Sequence, residues 1–253
     1  MASQTDKPNL PRDFVLHEYR ALSDTLLEAR RFAEQGAEEG TVVWALRQHD
    51  SKTHSGDAWL ASDGDLHCAL ILRPEFDRET ALQLVFVAAL SVGAVLSENV
   101  SPMTALHYRW PNEILLRQGK AGALRVAGKP TPGGFEWLIL GLDLNVEKTP
   151  ESVSFSAAAV HPDGECEVSC ATLLENYCRY FLRTINRWAE DGFSPILNAW
   201  LQRVPDIDQY VRLRLEHGAV EGVLKQVTGQ GAAVVQTEAG EVVVSLSESF
   251  GFR

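Results

Sequence analysis

The side chains best suited to chemistry lie in short, dispersed segments rather than in one catalytic motif. A turn reads Arg109-Trp110-Pro111-Asn112-Glu113, and the run Lys120-Ala121-Gly122 places its lysine seven residues after Glu113. A third segment, Gly141-Leu142-Asp143-Leu144-Asn145-Val146, comes later. The sequence contains no G-x-S-x-G elbow, Walker loop, H-E-x-x-H or C-x-x-C pattern. The usual nucleophilic, P-loop and zinc chemistries therefore lack their signatures.

The cysteines raise the alternative of a metal site. They are Cys68, Cys166, Cys170 and Cys178, and His161 lies nearby in sequence. The spacing Cys-x3-Cys-x7-Cys matches no common zinc pattern, and Cys170 and Cys178 fall in an apolar helical pattern. We therefore expect buried, reduced thiols in preference to metal ligands.

The order and spacing of the polar segments resemble those of the biotin protein ligases over roughly residues 15 to 203. The resemblance includes a Thr-led helix at Asp24-Thr25 and a strand and loop from Gln48 to Trp59. In that family the turn reads K-W-P-N-D, the lysine lies in K-x-A-G, and a later strand ends in G-x-G-x-N. Five residues match outright and two are like-charge replacements: Trp110, Pro111, Asn112, Lys120 and Asn145, with Arg109 and Glu113. Gly192-Phe193-Ser194-Pro195, followed by Trp200, also resembles the segment that closes the family's catalytic domain.

This resemblance implies an enzyme that activates a carboxylic acid with ATP and then passes the acyl group from the acyl-adenylate to a lysine of a carrier protein. Such a catalyst needs no protein nucleophile, because its task is to hold a carboxylate and an α-phosphate together and to stabilise moving charge. The implied substrates are biotin and ATP with Mg²⁺, and lipoate or octanoate is the alternative acid. The implied acceptor is a biotinyl- or lipoyl-type carrier domain.

The same resemblance assigns roles to individual residues. Lys120 would be catalytic, its ammonium bridging both anions, and Glu113 would hold Mg²⁺; an exposed strand lysine is the alternative for Lys120. The residues implied to bind the nucleotide are Lys52, His54, Arg109, Asn112 and Asn145. Those implied to bind the acid are Thr25, Gln48, Gly56, Trp59, Trp110 and Gly122. For Asn145 an ordinary strand-end turn is the alternative, and for Trp59 and Trp110 it is packing.

The loop between Gln48 and Trp59 departs from the family. Its pattern there is G-R-G-R-R-G, whereas this chain reads Ser51-Lys52-Thr53-His54-Ser55-Gly56 and continues with Asp57. Glycines allow backbone amides to approach an adenylate and arginines neutralise it, so the substitutions predict weaker retention of the anion. His54 replaces the central arginine with a group that is mostly neutral near pH 7. Leu26 also stands where the family usually has Asn.

Three interpretations follow from this departure. The first is an active ligase with an altered loop. The second is a lipoate or octanoate relative, because the stretch from His54 to Ala58 resembles the R-x-S-G-G-G-A loop of lipoate ligases. The third is a ligand-binding or regulatory protein that has lost turnover on the same scaffold.

The elements that must position these residues can be predicted from periodicity and capping. A helix is expected over 26–35, capped by Ser23 or Asp24 and stopped at Gly36. A second runs from Asp77 for about five turns, and further helices cover 170–188 and 194–204. Strands are expected over 41–48, 66–72, 105–110, 113–116, 120–126 and 135–146, and the stretches 50–58 and 128–134 are expected to be loops.

After Val204 the pattern changes to three short β-like runs over 220–227, 231–237 and 241–246. We therefore predict a ligase-like domain over 1–204 and a small β-rich domain over 205–253. The predicted fold class is α+β, a mixed sheet packed by helices as in class II aminoacyl-tRNA synthetases and biotin synthetases. The helix-turn-helix domain of some family members is not expected, nor is their repressor function.

The charge and hydropathy of the chain limit the classes of partner that it is expected to bind. The net charge of −11 and a pI of about 5.1, without clustered Lys and Arg, argue against nucleic acid as a partner. The longest apolar stretch, Leu82 to Leu96, is interrupted by polar residues and is too short for a membrane span. With no signal-peptide pattern at the start, a cytoplasmic location is expected, and a homodimer is left open.

Overall fold

The computed structural model describes residues 7–49, 64–150, 156–162, 168–215 and 218–252. Its main body is a seven-stranded mixed sheet in the order β1-β2-β3-β7-β6-β5-β4. The strands are β1 (Val15–Tyr19), β2 (Thr41–Ala45), β3 (Leu66–Leu72), β4 (Leu106–Arg109), β5 (Glu113–Leu116), β6 (Gly119–Thr131) and β7 (Gly134–Leu144). The pair β1–β2 is parallel and the other neighbours are antiparallel. The predicted α+β class with a mixed sheet is confirmed.

Helices cover both faces of this sheet, which explains why β3 is buried along its whole length. The helices are α1 (Thr25–Glu34), α2 (Arg78–Leu82), α3 (Leu84–Asn99), α4 (Cys170–Asp191) and α5 (Phe193–Leu201). Helix α1 packs its Ala29 and Ala33 against Val43 and Ile139 on one face, and α3, α4 and α5 form the larger core on the other. Side chains alternate between the two faces along each strand, so every second residue faces α1 and the residues between them face α3, α4 and α5.

The N-terminus of α1 is set by Asp24, as predicted. The carboxylate oxygen Oδ1 of Asp24 accepts hydrogen bonds from the backbone amides of Leu26 at 2.7 Å and Leu27 at 3.3 Å. These bonds satisfy two of the free amides of the first turn. The cap matters for the site because it fixes Thr25, the first residue of α1, above the sheet.

The helical stretch from Arg78 to Asn99 is apolar and long enough to meet the length and composition criteria for a membrane span, and 78% of that window is buried inside the molecule. Burial against α4 and the sheet explains its composition without a bilayer. The cytoplasmic location stays a prediction.

Two expectations about the sheet were wrong. The stretch 128–134, predicted as a loop from its glycines and prolines, mostly extends the β6–β7 hairpin. Pro130 pairs with Phe135 after a register shift, and Thr131 pairs with Gly134. Proline is tolerated beside such a bulge. Strand β1, at the edge of the sheet, was not predicted.

The C-terminal part forms a second, antiparallel sheet in the order β11-β10-β9-β8. Its strands are β8 (Tyr210–Leu215), β9 (Gly218–Val227), β10 (Ala233–Thr237) and β11 (Gly240–Val244), and α6 (Leu246–Ser249) follows. The sequence predicted three strands here and missed β8. Apolar residues of this sheet, such as Leu224 and Val235, belong to the same buried cluster as the main body. The domain boundary at 204 stays a prediction.

A tryptophan joins the two sheets. The indole Nε1 of Trp110, just after β4, donates a hydrogen bond of 2.8 Å to the carbonyl of Gly231. Trp110 is almost fully buried. A buried carbonyl left without its donor costs free energy, so this bond helps to hold the C-terminal sheet against the edge of the main one.

We expect Trp110→Phe to lower the free energy of unfolding more than Trp137→Phe. Both residues are buried, but the Trp137 indole N–H has no hydrogen-bond partner among the described residues. The excess for Trp110 should be about 1–3 kcal/mol, the cost of an unsatisfied buried polar group. Urea unfolding of both variants followed by circular dichroism measures it, and equal losses would show that the Trp110 bond does not contribute.

Candidate active site

A pocket of about 450 Å³ lies between the edge of the main sheet and the C-terminal sheet. The main sheet contributes β4, β5 and the start of β6, and the C-terminal sheet contributes β8. Five of the residues assigned by resemblance line it: Arg109, Trp110, Asn112, Glu113 and Lys120. The fold therefore brings together residues that the sequence separates by up to 11 positions.

The position of Lys120 depends on a register shift between β5 and β6. Glu113 pairs with Ala123, but Leu115 pairs with Lys120, so Ala121 is an extra residue on β6. Because directly paired residues share a face of the sheet, the shift places Lys120 on the same face as Glu113. The run Lys120-Ala121-Gly122 has one residue fewer between lysine and glycine than the family pattern K-x-A-G.

Lys120 is a buried lysine. It is 6% exposed, and its Nζ lies 2.8 Å from Oε1 of Glu113. A buried ammonium requires a paired anion because its desolvation is costly. Glu113 supplies that anion at the wall of the pocket. The alternative of an exposed strand lysine is wrong.

Glu113 in turn belongs to a chain of charges. The Arg109 Nη1 atom lies 3.4 Å from Glu113, and Arg109 Nε lies 2.9 Å from Asp206, just before β8. Partial burial alone would lower the pKa of Arg109, but the carboxylates of Asp206 and Glu113 outweigh it and raise the pKa. The guanidinium therefore stays charged beside the pocket.

Glu113 pairs with two cationic side chains, Lys120 and Arg109. No group of three or more metal-ligating side chains occurs within the described ranges, but Mg²⁺ is commonly held by one or two carboxylates together with substrate phosphates. Glu113 is the counter-ion of Lys120 in the structure, and its role as a Mg²⁺ ligand stays a prediction.

Two asparagines hold the backbone around Lys120. Asn112 donates from Nδ2 to the carbonyl of Leu124 at 2.5 Å, and its own carbonyl accepts from the Leu124 amide at 2.9 Å. Asn145, fully buried, donates from Nδ2 to the carbonyl of Ala158 at 2.9 Å and lies 3.4 Å from that of Lys120. Asn112 also lines the pocket, whereas Asn145 does not. In Asn145 the amide donor is used within the protein, so contact with adenine stays a prediction.

The C-terminal sheet adds two cations that sequence reasoning missed. Arg212 and Arg214 of β8 line the pocket together with Arg109 and Lys120, against the acidic Glu113 and Asp206. Four cationic and two acidic side chains give the lining a positive balance within a chain of net charge −11. Such a local balance suits an anion, and phosphate groups in particular. Strand β8 alternates regularly, with Tyr210, Arg212 and Arg214 on its more exposed face, and this period-two pattern was the signal available in the sequence.

Thr25 and Gln48 lie elsewhere on the sheet, in a buried polar cluster. Gln48 accepts a hydrogen bond from the Thr25 backbone amide at 2.7 Å through Oε1, and its Nε2 donates to Oδ1 of Asp143 at 2.9 Å. His67 Nδ1 lies 2.7 Å from the same Asp143 oxygen. Arg125 completes the cluster, with Nε 2.6 Å from Asp143 Oδ2 and Nη1 2.5 Å from Asp24. We call these six residues the polar cluster: Asp24, Thr25, Gln48, His67, Arg125 and Asp143.

The cluster keeps Asp143 ionised. Burial alone would raise the pKa of its carboxyl, but the Arg125 guanidinium and the hydrogen bonds from His67 and Gln48 hold that pKa below its usual value. Arg125 remains charged for the reciprocal reason, since Asp143 and Asp24 raise its pKa against the effect of burial. Sequence reasoning named Thr25 and Gln48 and missed the other partners. A charged residue inside an apolar strand, as at Arg125 and Asp143, was the available signal.

The remaining assigned residues have mixed outcomes. Gly122 lies inside the sheet, where an added Cβ would come within 2.8 Å of the Asp143 carbonyl, so its close packing explains the glycine. It does not line the pocket, and a contact with the acid stays a prediction. Lys52, His54, Gly56 and Trp59 lie outside the described residues.

The cysteines behave as buried thiols where they are described. Cys68 and Cys178 are buried and free, and Cys170 is partly buried. Burial raises the pKa of the Cys178 thiol to about 12 and raises that of Cys68 well above its usual value. The expectation of buried, reduced thiols is confirmed for Cys68 and Cys178, and Cys166 lies outside the described residues.

Comparison with known proteins identifies the family. A model of the biotin/lipoate A/B protein ligase family matches residues 10–202. The chain belongs to this family. The biotin–(acetyl-CoA-carboxylase) ligase of Paracoccus denitrificans is 27% identical over 231 residues, covering 89% of this chain and 96% of that protein.

Solved structures with the same fold accord with this membership. A biotin protein ligase-like protein of unknown function from Silicibacter sp. TM1040 has a TM-score of 0.79 at 22% identity, with 96% of this chain and 99% of that one covered. Biotin protein ligase from Aquifex aeolicus in complex with biotin and ATP has a TM-score of 0.74 at 23% identity, with 92% and 96% covered. The predicted biotin synthetase-like fold is confirmed.

The lowered pKa of Asp143 predicts a pH-dependent contribution to stability. A depressed carboxyl pKa stabilises the folded state above the unfolded value and stops doing so as the pH falls below about 4. We expect Asp143→Asn to cost about 3–5 kcal/mol at pH 7, because it leaves Arg125 and His67 without their buried anion. The gap to the wild type should narrow as the pH falls below about 4. Asp191→Asn, at an exposed ion pair, is the control and should change little. Thermal unfolding across this pH range measures both, and a gap that does not narrow would contradict the role of Asp143.

Proposed function

We propose that the chain activates biotin with ATP and transfers the biotinyl group to a lysine of a carrier protein. In the first step a carboxylate oxygen of the acid attacks the α-phosphorus, and pyrophosphate leaves as the bond to it breaks. In the second step the carrier lysine amine attacks the acyl carbonyl carbon, AMP leaves, and the amine loses a proton. Both steps move negative charge between oxygens, so their catalyst is a fixed positive group at the point where the two substrates meet.

The observation that carries this proposal is the buried Lys120 ammonium at the wall of the pocket. Its ion pair with Glu113, 2.8 Å long, helps to hold it in place. The carboxylate of the acid and an α-phosphate oxygen would approach the same ammonium, which can donate three hydrogen bonds. Pre-positioning of this kind lowers the barrier because the charge does not have to be reoriented during the reaction.

The remainder of the pocket supports a nucleotide as the second substrate. Arg109 on the main sheet and Arg212 and Arg214 on the C-terminal sheet surround it with positive charge. Their arrangement on two sheets means that a triphosphate could be held from both sides. We infer that the C-terminal sheet takes part in ATP binding, and that this is why Trp110 and Arg109 connect it to the catalytic edge.

The family relationship supports biotin as the acid, since the relative from Paracoccus denitrificans is named as a biotin ligase and the Aquifex aeolicus structure holds biotin and ATP. A lipoate or octanoate ligase, and a regulatory protein without turnover, remain the other interpretations. The second interpretation differs from the proposal in the acid that is activated, and the third differs in having no turnover. Exchange assays with the different acids, together with biotin binding, separate the three.

We expect Lys120→Ala to reduce biotin-dependent ATP–pyrophosphate exchange at least about hundredfold, the typical cost of removing one charge-stabilising donor. Lys129→Ala is the matched control, because Lys129 lies on the same strand, β6, but is exposed and pairs with Glu136 at the surface. Its exchange rate should equal that of the wild type. Circular dichroism checks that both variants are folded.

Wild-type exchange in folded Lys120→Ala would remove Lys120 from the reaction. Exchange that the wild-type chain performs with octanoate or lipoate but not with biotin would favour the second interpretation. Binding of biotin without any exchange would favour the third.

A further inference from the structure

We propose that Asp206 is a positioning residue of the nucleotide site, and that it acts by holding the Arg109 guanidinium in the orientation that receives a phosphate group. This inference rests on the proposed function, because it takes Arg109 to contact the triphosphate of ATP. It adds a residue to which neither the spacing of the motifs nor the family resemblance gives a role. Asp206 lies in the short connection between α5 and β8 and lines the pocket together with Arg109.

An acidic side chain is unfavourable at the wall of a pocket that binds an anion, because its charge repels a phosphate group. The Asp206 side chain is nevertheless only 14% exposed and lines the pocket. Its Oδ2 atom accepts a hydrogen bond of 2.9 Å from Nε of Arg109. If the pocket holds a triphosphate, the effect of Asp206 on Arg109 has to outweigh the direct repulsion.

The contact with Asp206 determines which N–H groups of Arg109 are left for a ligand. Asp206 takes the Nε edge, and Nη1 makes a longer contact of 3.4 Å with Glu113. A guanidinium is planar and its five N–H groups point in fixed directions, so holding Nε and Nη1 orients the whole group. Nη2 has no hydrogen-bond partner among the described residues. The donors of Nη2 therefore stay available for a phosphate oxygen.

The backbone around Asp206 is held by both sheets. Three residues before it, the carbonyl of Arg203 accepts a hydrogen bond of 2.9 Å from the amide of Tyr108 on β4. The Asp206 carbonyl accepts from the Gln209 amide at 3.0 Å, and the Gln209 carbonyl accepts from the amide of Leu224 on β9 at 3.0 Å. The carboxylate therefore has a fixed position relative to β4, the strand that carries the arginine.

A contribution to stability does not explain the pair. The Arg109 side chain is 48% exposed, and ion pairs that are open to solvent add little to the free energy of unfolding. The two sheets are also joined by the Trp110–Gly231 hydrogen bond and by a shared apolar cluster. Loss of the Asp206 carboxylate is therefore expected to leave the sheets docked and to change the binding of the nucleotide. A cation that is oriented before its ligand arrives binds more tightly than a mobile one.

The test is the affinity of the whole chain for an ATP analogue with a methylene group between the α and β phosphorus atoms, measured by isothermal titration with Mg²⁺. We expect Asp206→Asn to weaken binding on the order of tenfold, the scale of one charged hydrogen bond that is no longer oriented. A purely electrostatic effect has the opposite sign, because removing a negative charge from the pocket would tighten the binding of an anion. The affinity for biotin should not change, since the acid does not contact Arg109 in the proposed function.

Two further variants separate positioning from other effects. Asp208→Asn is the matched control, because it removes the same charge two residues away, where Asp208 pairs with Lys225 and neither lines the pocket. Asparagine tolerates the φ of 60° at that position, and the affinity should stay close to that of the wild type. In an Arg109→Gln background, Asp206→Asn should no longer weaken binding, since the group that it orients is gone. Thermal unfolding checks that each variant is folded.

Unchanged or tighter binding of the analogue by folded Asp206→Asn would overturn the inference. So would the same loss in the Arg109→Gln background, or a parallel loss of affinity for biotin, because each would give Asp206 a direct or structural role. Failure of the proposed function has a different signature. A wild-type chain that binds the analogue but performs no biotin-dependent pyrophosphate exchange would reject that function and leave the role of Asp206 to be decided by its own affinities. A wild-type chain that does not bind the analogue would reject both.

Discussion

The pairing of β6 with its two neighbours is the constraint on which the rest of the site depends. The strand runs antiparallel between β5 and β7, and the one-residue shift opposite Ile114 and Leu115 turns Lys120 onto the face that also carries Asp143. A change of one residue in this register would send Lys120 to the opposite face, into the core formed by α3 and α4. The positions of the charged side chains therefore depend on the backbone pairing of β5, β6 and β7 as much as on their ion pairs with one another.

Burying charges at this face is costly, and the chain meets the cost by pairing. Lys120 has Glu113, and Arg125 has both Asp143 and Asp24. Buried ion pairs add little net stability compared with apolar packing, whereas removing one partner is strongly destabilising. Two such groups on one sheet face therefore accord with retention for a role other than net stability.

Much of the fold could be predicted from local patterns. The helix with its Asp24 cap and the apolar β3 each have a short-range physical cause, and each is present. The extension of β6 through Pro130 was missed, because its pairing with β7 overrides the turn tendencies of its glycines and prolines. Strand β1 was missed because its burial alternates irregularly, whereas the burial of β8 alternates regularly and its period-two pattern could have predicted it.

The candidate site, like the fold, could be predicted from the sequence only in part. Lys120, Asn112 and Glu113 could be named because the short segments that contain them resemble the motifs of the family. The polar cluster could not, because His67 and Asp143 are 76 residues apart and become neighbours only when β3 pairs with β7. Arg212 and Arg214 reach the pocket through the docking of the C-terminal sheet, for which the sequence carries no local signal.

The central claim is that the Lys120 ammonium lies where the carboxyl group of the acid meets the α-phosphate. A crystal structure with a non-hydrolysable sulfamoyl analogue of biotinyl-adenylate tests it most directly. The account predicts the Lys120 Nζ atom within hydrogen-bond distance of both the acyl oxygen and a sulfamoyl oxygen, with the adenosine beside β8. An analogue bound elsewhere, with Lys120 paired to Glu113 alone, would contradict it.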